Sequence, residues 1–299
     1  MTRVLRRGDA EWPGRLGELG PHRPPEKLFA EGAPLEPEVP AVAVVGTRRP
    51  SATGRAAAYE IAGGLAEAGW IVVSGLAVGV DAVAHRAALE AGGRTVAVLG
   101  CGLDVGYPAR NLELKARIVE QGTLITEYAF GAPPAKHHFP MRNRIIAGAA
   151  LGVVVVEGSM RSGALVTARL GLDMNRSVFA VPGSPRNPMA EGPNELIRTS
   201  QAALVTEVSH VFEDLAPGLA WREQDRSGSD DPARHLTDDE NGVLRALDDV
   251  PLGIDQLARD LDLAPGRIAI LLSQLEVRGL VVRWRGGYAR SSAGSRRAS

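Results

Sequence analysis

From Ala41 to Val205 the chain alternates short β-branched runs with Ala-, Leu- and Arg-rich stretches, one repeat every ~25 residues. The runs are VAVVG (42–46), WIVVSG (70–75), RTVAVLG (94–100), TLITE (123–127), GVVVVE (152–157), RSVFAVPG (176–183) and AALV (202–205). The stretches between them, 51–69, 80–92, 110–121, 139–150, 163–175 and 192–200, read as helices. Near-continuous apolar runs belong to strands buried on both faces. Right-handed βαβ crossovers then give an α/β fold, a doubly wound, mostly parallel sheet of extended Rossmann-like type at 41–215. Such sheets bind ligands at the carboxyl ends of their strands.

The flanks follow other rules. Residues 1–40, rich in Pro, Gly and charge, are expected to form a short helix and an extended strap, too short for a domain. Residues 216–236 read as a polar linker. At 237–290 the order is helix, helix, turn, helix and hairpin, which outlines a small winged-helix domain. It opens with Thr237 and Glu240 in capping-box spacing. Residues 291–299 read as a disordered basic tail.

A net charge of −1 excludes a globally basic nucleic-acid binder, so a polyanion would have to meet a local patch. KHHFPMRNR supplies one, with Lys136, Arg142 and Arg144 beside His137, His138 and Phe139. Lys136 is one of three lysines, with Lys27 and Lys115, in a chain that otherwise uses Arg, and a compact ammonium suits a single phosphate. The lone Cys101, the missing signal core and the lack of a long apolar run suggest a soluble cytoplasmic protein without a membrane partner.

The loops after the strands carry the remaining signals. The first strand ends in GTRRPS rather than GxGxxG, so Arg48 and Arg49 with the following helix N-terminus favour phosphate over a dinucleotide. Ser74, Gly75 and Gly79 of SGLAVGVDAVAH permit close backbone approach, while Asp81 and His85 read as a helix cap with an internal pair. LGCGLDVGYP is a weak dinucleotide signal that a glycine-rich βα turn explains as well. Ser162 and Gly163 open a further helix after the fifth strand. Walker A, GxSxG, HExxH and CxxC motifs are all missing, and the adjacent histidines lack a ligand set, so neither cofactor nor metal is expected.

VAVVGTRRPSATGR, VSGLAVGVDAVAH, LGCGLDVGYPARN, HFPMRNRIIAG, VVEGSMRSGALVTAR, FAVPG and GPNELI, in this order, closely resemble the bacterial DNA processing protein A family (DprA, or Smf) over residues 25–210. The resemblance implies a non-enzymatic protein that binds single-stranded DNA, dimerises, and helps load a RecA-type recombinase in natural transformation. It also implies a phosphate site of Gly46, Thr47, Arg48, Ser74, Gly75, Lys136, Arg142, Asn143, Arg144, Ser162 and Gly163. Three features depart from the family's pattern. Only the tail, PPEKLF, of its N-terminal helical domain is visible, TSQAA (199–203) replaces a Gly-Ala pair, and Val78 stands where Arg is common.

For single-stranded DNA, cations would track the backbone while Phe139, Tyr128, Phe130 and His137 or His138 offer faces to bases. Arg283, Arg285 and Arg290 are candidate winged-helix DNA contacts, although that domain's apolar recognition helix favours packing. Two alternatives stay open. One is a phosphoribohydrolase-like enzyme acting on nucleoside monophosphates, whose PGGxGT-type motif is replaced here by PGSPRNP. The other is a winged-helix transcription regulator reading a duplex site.

Overall fold

The computed structural model describes residues 2–216, 237–247, 252–277, 280–284 and 287–290. They fall in two compact units, one within Met1–Ala220 and one within Trp221–Ser299.

The first unit opens with β1 (Arg3–Arg6), a short 3-10 turn (Gly14–Gly17) and β2 (Lys27–Gly32). The alternation follows as β3 (Ala41–Val45), α1 (Ala52–Glu67), β4 (Ile71–Ser74), α2 (Val80–Glu90), β5 (Thr95–Val98), α3 (Leu112–Gln121) and β6 (Thr123–Thr126). It continues through α4 (His138–Gly148), β7 (Gly152–Val155), α5 (Gly163–Asp173), β8 (Ser177–Ala180), α6 (Glu191–Arg198), β9 (Ala203–Leu204) and α7 (Val208–Leu215). The strands order β1-β2-β6-β5-β4-β3-β7-β8-β9 in one sheet. All pairs from β6 to β9 are parallel, and β1 and β2 are antiparallel at one edge.

The β-branched runs form strands because their alternate residues enter different cores. Ala43 and Val45 of β3 join Val73, Val153 and Val155 on one face. Val42 and Val44 join Val72, Val154 and Val156 on the other, under α1 and α2. A third cluster gathers Leu76, Leu99, Leu114, Ile118 and Leu124 around α3.

The N-terminal segment differs from the expected helix and strap. It adds β1 and β2 to the sheet, and its Trp12, Leu16, Leu19 and Leu28 are buried in the first core. Leu16 and Leu19 lie so close to Gly148 that a Cβ there would strike Leu19. Sequence periodicity misses these strands because each is short and flanked by Pro and charge. The parallel core reads easily because it is buried on both faces.

The second unit holds α8 (Asp238–Ala246), α9 (Ile254–Asp260), α10 (Pro265–Val277) and a hairpin of β10 (Val281–Trp284) and β11 (Gly287–Arg290). The expected capping box is present. Thr237 Oγ1 accepts from Glu240 N, and the Glu240 carboxylate accepts from Thr237 N. Leu244, Leu257, Ile268, Leu271 and Leu275 form a core of their own. Residues 217–236 of the expected linker, and the tail 291–299, lie outside the described residues.

Candidate nucleic-acid interface

The carboxyl ends of β3, β4 and β5 open around a small cavity of about 40 Å³, lined by Arg48, Gly75, Val78, Tyr107, Phe139 and Arg142 among others. It lies beside the point where strand order reverses, since β4 flanks β3 on one side and β7 on the other. Arg48 is exposed in the GTR turn, and its guanidinium carbon lies 5.8 Å from the centroid of the Phe139 ring. That ring also leans on Tyr107, with centroids 5.6 Å apart. A cation above an aromatic wall thus stands at the mouth.

The floor is built from buried charge. The Arg142 guanidinium donates to the carbonyls of Gly75 and Val98. A Cβ on Gly75 would sit 2.5 Å from Arg142 Nη2, so glycine is required for this close approach. Burial pushes the Arg142 pKa down, and Asp81 pushes it back up. Burial likewise raises the Asp81 carboxyl, against the opposing pull of Arg142 and the amides of Gly75 and Ala77, from which Asp81 accepts. Beneath the SGLA turn each group's charge opposes the shift that burial imposes on the other.

Asp81 and His85 do not pair with each other. His85 Nδ1 lies 2.7 Å from Thr95 Oγ1, whose own hydroxyl is given to Val72 O, and His85 Nε2 accepts from Leu76 N. The neutral Nδ1–H tautomer satisfies every partner, and burial holds the imidazole pKa down at about 3.

The sequence-derived residues do not all meet at the cavity. Arg48 and Arg142 with Gly75 share the cavity, and Phe139 forms its wall. Thr47, Gly46 and Asn143 support it: Thr47 O accepts from Val80 N, Gly46 packs on Val80, and Asn143 Nδ2 donates to Gly163 O. Lys136 is exposed in the β6–α4 loop, outside the cavity lining. Ser162 caps α5 by accepting from Leu165 N, and Gly163 is exposed beside it.

Three expectations change. Ser74 is fully buried and donates to Val44 O, so its hydroxyl serves the sheet. Arg144 is also buried and grips both carboxylate oxygens of Glu127 at 2.7 and 2.6 Å, with further bonds to Arg23 O and Met141 O. The N-terminus of α1, where the GTR turn suggested a phosphate, already holds the buried carboxylate of Glu157. That group accepts from Ser51 N, Ser51 Oγ and Asn187 Nδ2. Sequence reasoning missed Glu157. The available signal was Gly54, where any Cβ would strike that carboxylate.

Among the stacking candidates, Tyr128 is covered by His138, ring on ring at 4.0 Å, and burial pushes its hydroxyl up to about 12. His137 is exposed and meets His138 edge-on. Phe130 is 53% exposed and stands edge-on to Phe29. In the second unit Arg283 pairs with Tyr288 and Arg290 with Val281 across the hairpin, and Arg285 lies outside the described residues.

The rim is basic. Arg48, Arg49, Arg110, Lys136, Arg161 and Arg186, all exposed on loops that follow parallel strands, make no ion pair among the described residues. Three acids of the same edge, Asp81, Glu127 and Glu157, turn inward to amides, Arg144 and Ser51, while Asp104 and Glu191 stay exposed. No helix among the described residues is long and apolar enough to cross a membrane, and none of their acidic, His or Cys side chains cluster as metal ligands.

Fold and edge together define a Rossmann-like protein with a basic rim at the carboxyl edge of its sheet. Its sequence matches the profile of the family described as DNA recombination-mediator protein A over residues 3–216, and that of the DprA winged helix domain over residues 227–287. The chain belongs to this family. It is 38% identical to protein Smf of Escherichia coli, over 89% of this chain and 72% of that one. With the DNA processing protein DprA of Streptococcus pneumoniae it shares 42% identity over 68% of this chain and 71% of the relative. The X-ray structure of that species' DprA superposes with a TM-score of 0.67 at 40% identity, covering 71% of this chain and 74% of the other. A structure of DNA processing protein A from Helicobacter pylori, concerned with its single-stranded DNA binding mode, gives 0.64 at 28% identity, covering 72% and 95%.

Proposed function

We propose that this chain binds single-stranded DNA without sequence preference at the carboxyl edge of the sheet, as a non-enzymatic mediator of recombination. The unpaired cationic rim carries this reading, because six exposed cations there make no ion pair among the described residues while Glu127 and Glu157 turn inward. Arg48 and Lys136 contact phosphates, the turns at Gly46, Gly75 and Gly163 let the backbone approach, and Phe139 offers a face to a base. Arg142 and Asn143 hold the floor. Membership of a recombination-mediator family and the single-stranded DNA described for the Helicobacter pylori neighbour favour this over a nucleotide hydrolase or a transcription regulator. In the same reading the chain works in the cytoplasm as a homodimer and passes the strand to a RecA-type recombinase during transformation.

Fluorescence anisotropy with single-stranded and duplex oligonucleotides tests the proposal. The single strand should bind more tightly. Arg48→Ala and Lys136→Ala should each weaken binding and flatten the dependence of log K on log salt by about 0.7. Unchanged affinity in both variants would overturn the site.

A further inference from the structure

A second feature lies on the outer face of α1 and α2, outside the cavity. There Arg55, Ala56, Tyr59, Val83, Arg86 and Glu90 line an open groove of about 330 Å³. Arg55 and Arg86 are exposed and make no ion pair among the described residues. Tyr59 is 47% exposed. Its hydroxyl donates to Glu90 at 3.0 Å, which fixes the ring across the groove and leaves a face to solvent. Glu90 also raises the Tyr59 pKa, so the ring is a neutral phenol.

The groove begins close to the GTR turn. Arg55 sits in the first turn of α1, which begins just after Arg48 and Arg49. The start of α2 packs on the same turn, since a Cβ on Gly79 would strike Thr47 O and Arg48 Cα. Tyr59 follows Arg55 by four residues, about 6 Å further along α1 and on the same face. Leading away from the turn, α1 presents Arg55 and then Tyr59, and α2 presents Arg86 and then Glu90. A run of phosphates fits the basic end. At the far end Glu90 repels a phosphate and accepts from a base N–H group instead.

We propose that the α1–α2 groove is a second contact for the bound strand, with Arg55 and Arg86 holding phosphates and Tyr59 stacking a base. Pocket and groove together then set a longer site than the pocket alone. This inference rests on the single-stranded DNA function proposed above.

The test uses the full chain and two oligothymidylates, one of about 6 nucleotides and one of about 20, chosen to bracket the usual range of site sizes. For the short probe, the Arg55→Ala/Arg86→Ala double variant and Tyr59→Ala should both match the parent chain. For the long probe, the double variant should lower the salt slope by about 1.4, two phosphates' worth. Tyr59→Ala should weaken the long probe roughly 5- to 150-fold. All three side chains are exposed, and matched thermal melts will show that the variants fold. If the parent binds both probes and the variants bind the long one as the parent does, the groove serves another partner and the inference falls while the pocket stands. If the parent binds neither probe, the proposed function itself fails and the groove with it.

Discussion

At the scale of residues, identical side chains read from sequence as one site do opposite kinds of work. Arg48 is free in solvent over Phe139, and Arg144 is locked on Glu127. Removing one member of a buried ion pair leaves the other uncompensated and costs about 3–5 kcal/mol. Arg144→Ala should therefore lower the stability measured by urea unfolding by about that amount, while the salt slope of DNA binding in the folded fraction stays as in the parent. His85 gives a pH signature. Its folded pKa of about 3 lies below the unfolded value of 6.5, so the unfolded chain takes up a proton first as pH falls. Its share of the stability is whole above pH 6.5 and is lost between there and about 3, at about 1.4 kcal/mol per pH unit. The raised Asp81 works the other way above pH 3.8. Urea unfolding across this range should show a shallower acid loss in His85→Gln than in the parent, and equal slopes would refute the assignment.

At the scale of elements, the decisive object is the start of α1. The helix N-terminus attracts an anion, and this fold supplies one from within. Glu157, at the end of β7, reaches the amide and hydroxyl of Ser51, which itself caps the helix by accepting from Gly54 N. Glu157→Ala strips the cap of a charged acceptor and leaves Asn187 Nδ2 without its partner, for a loss of about 1–3 kcal/mol. Because α1 directs the GTR turn, DNA binding should weaken together with the melting temperature, and a normal melt with unchanged binding would count against this role. In the second unit the capping box on α8 makes a separate prediction. Thr237→Ala should cost about 1 kcal/mol in that unit, seen as a lower melting transition, with strand binding unaffected.

At the scale of the whole molecule, every proposed contact to the strand lies in the unit that ends before Trp221. That unit has three cores of its own, and the second unit has a fourth. A chain cut after Ala216 should keep its affinity for single-stranded DNA and its salt slope, as read by anisotropy. A large loss would move part of the site to the winged helix. The antiparallel β1 and β2 carry a further lesson. They complete the sheet through Leu5, Leu28 and Ala30, whose burial is spread over too few residues to give a periodic signal.

The sequence by itself determined the parallel core, because strands buried on both faces must be apolar throughout and their crossovers must be helical. It also determined which loops meet at the carboxyl edge, and so that Gly46, Arg48, Gly75 and Phe139 come near one another. Only the tertiary structure decided which charges are offered to a ligand. Arg142 and Arg144 sit within three residues on one helix, but the carbonyls of Gly75 and Val98 and the carboxylate of Glu127 that claim them come from distant strands. Glu157 likewise reaches Ser51 across 106 positions. Spacing along a chain reports where cations gather, whereas burial and partners, which depend on the packed sheet, settle whether they are free.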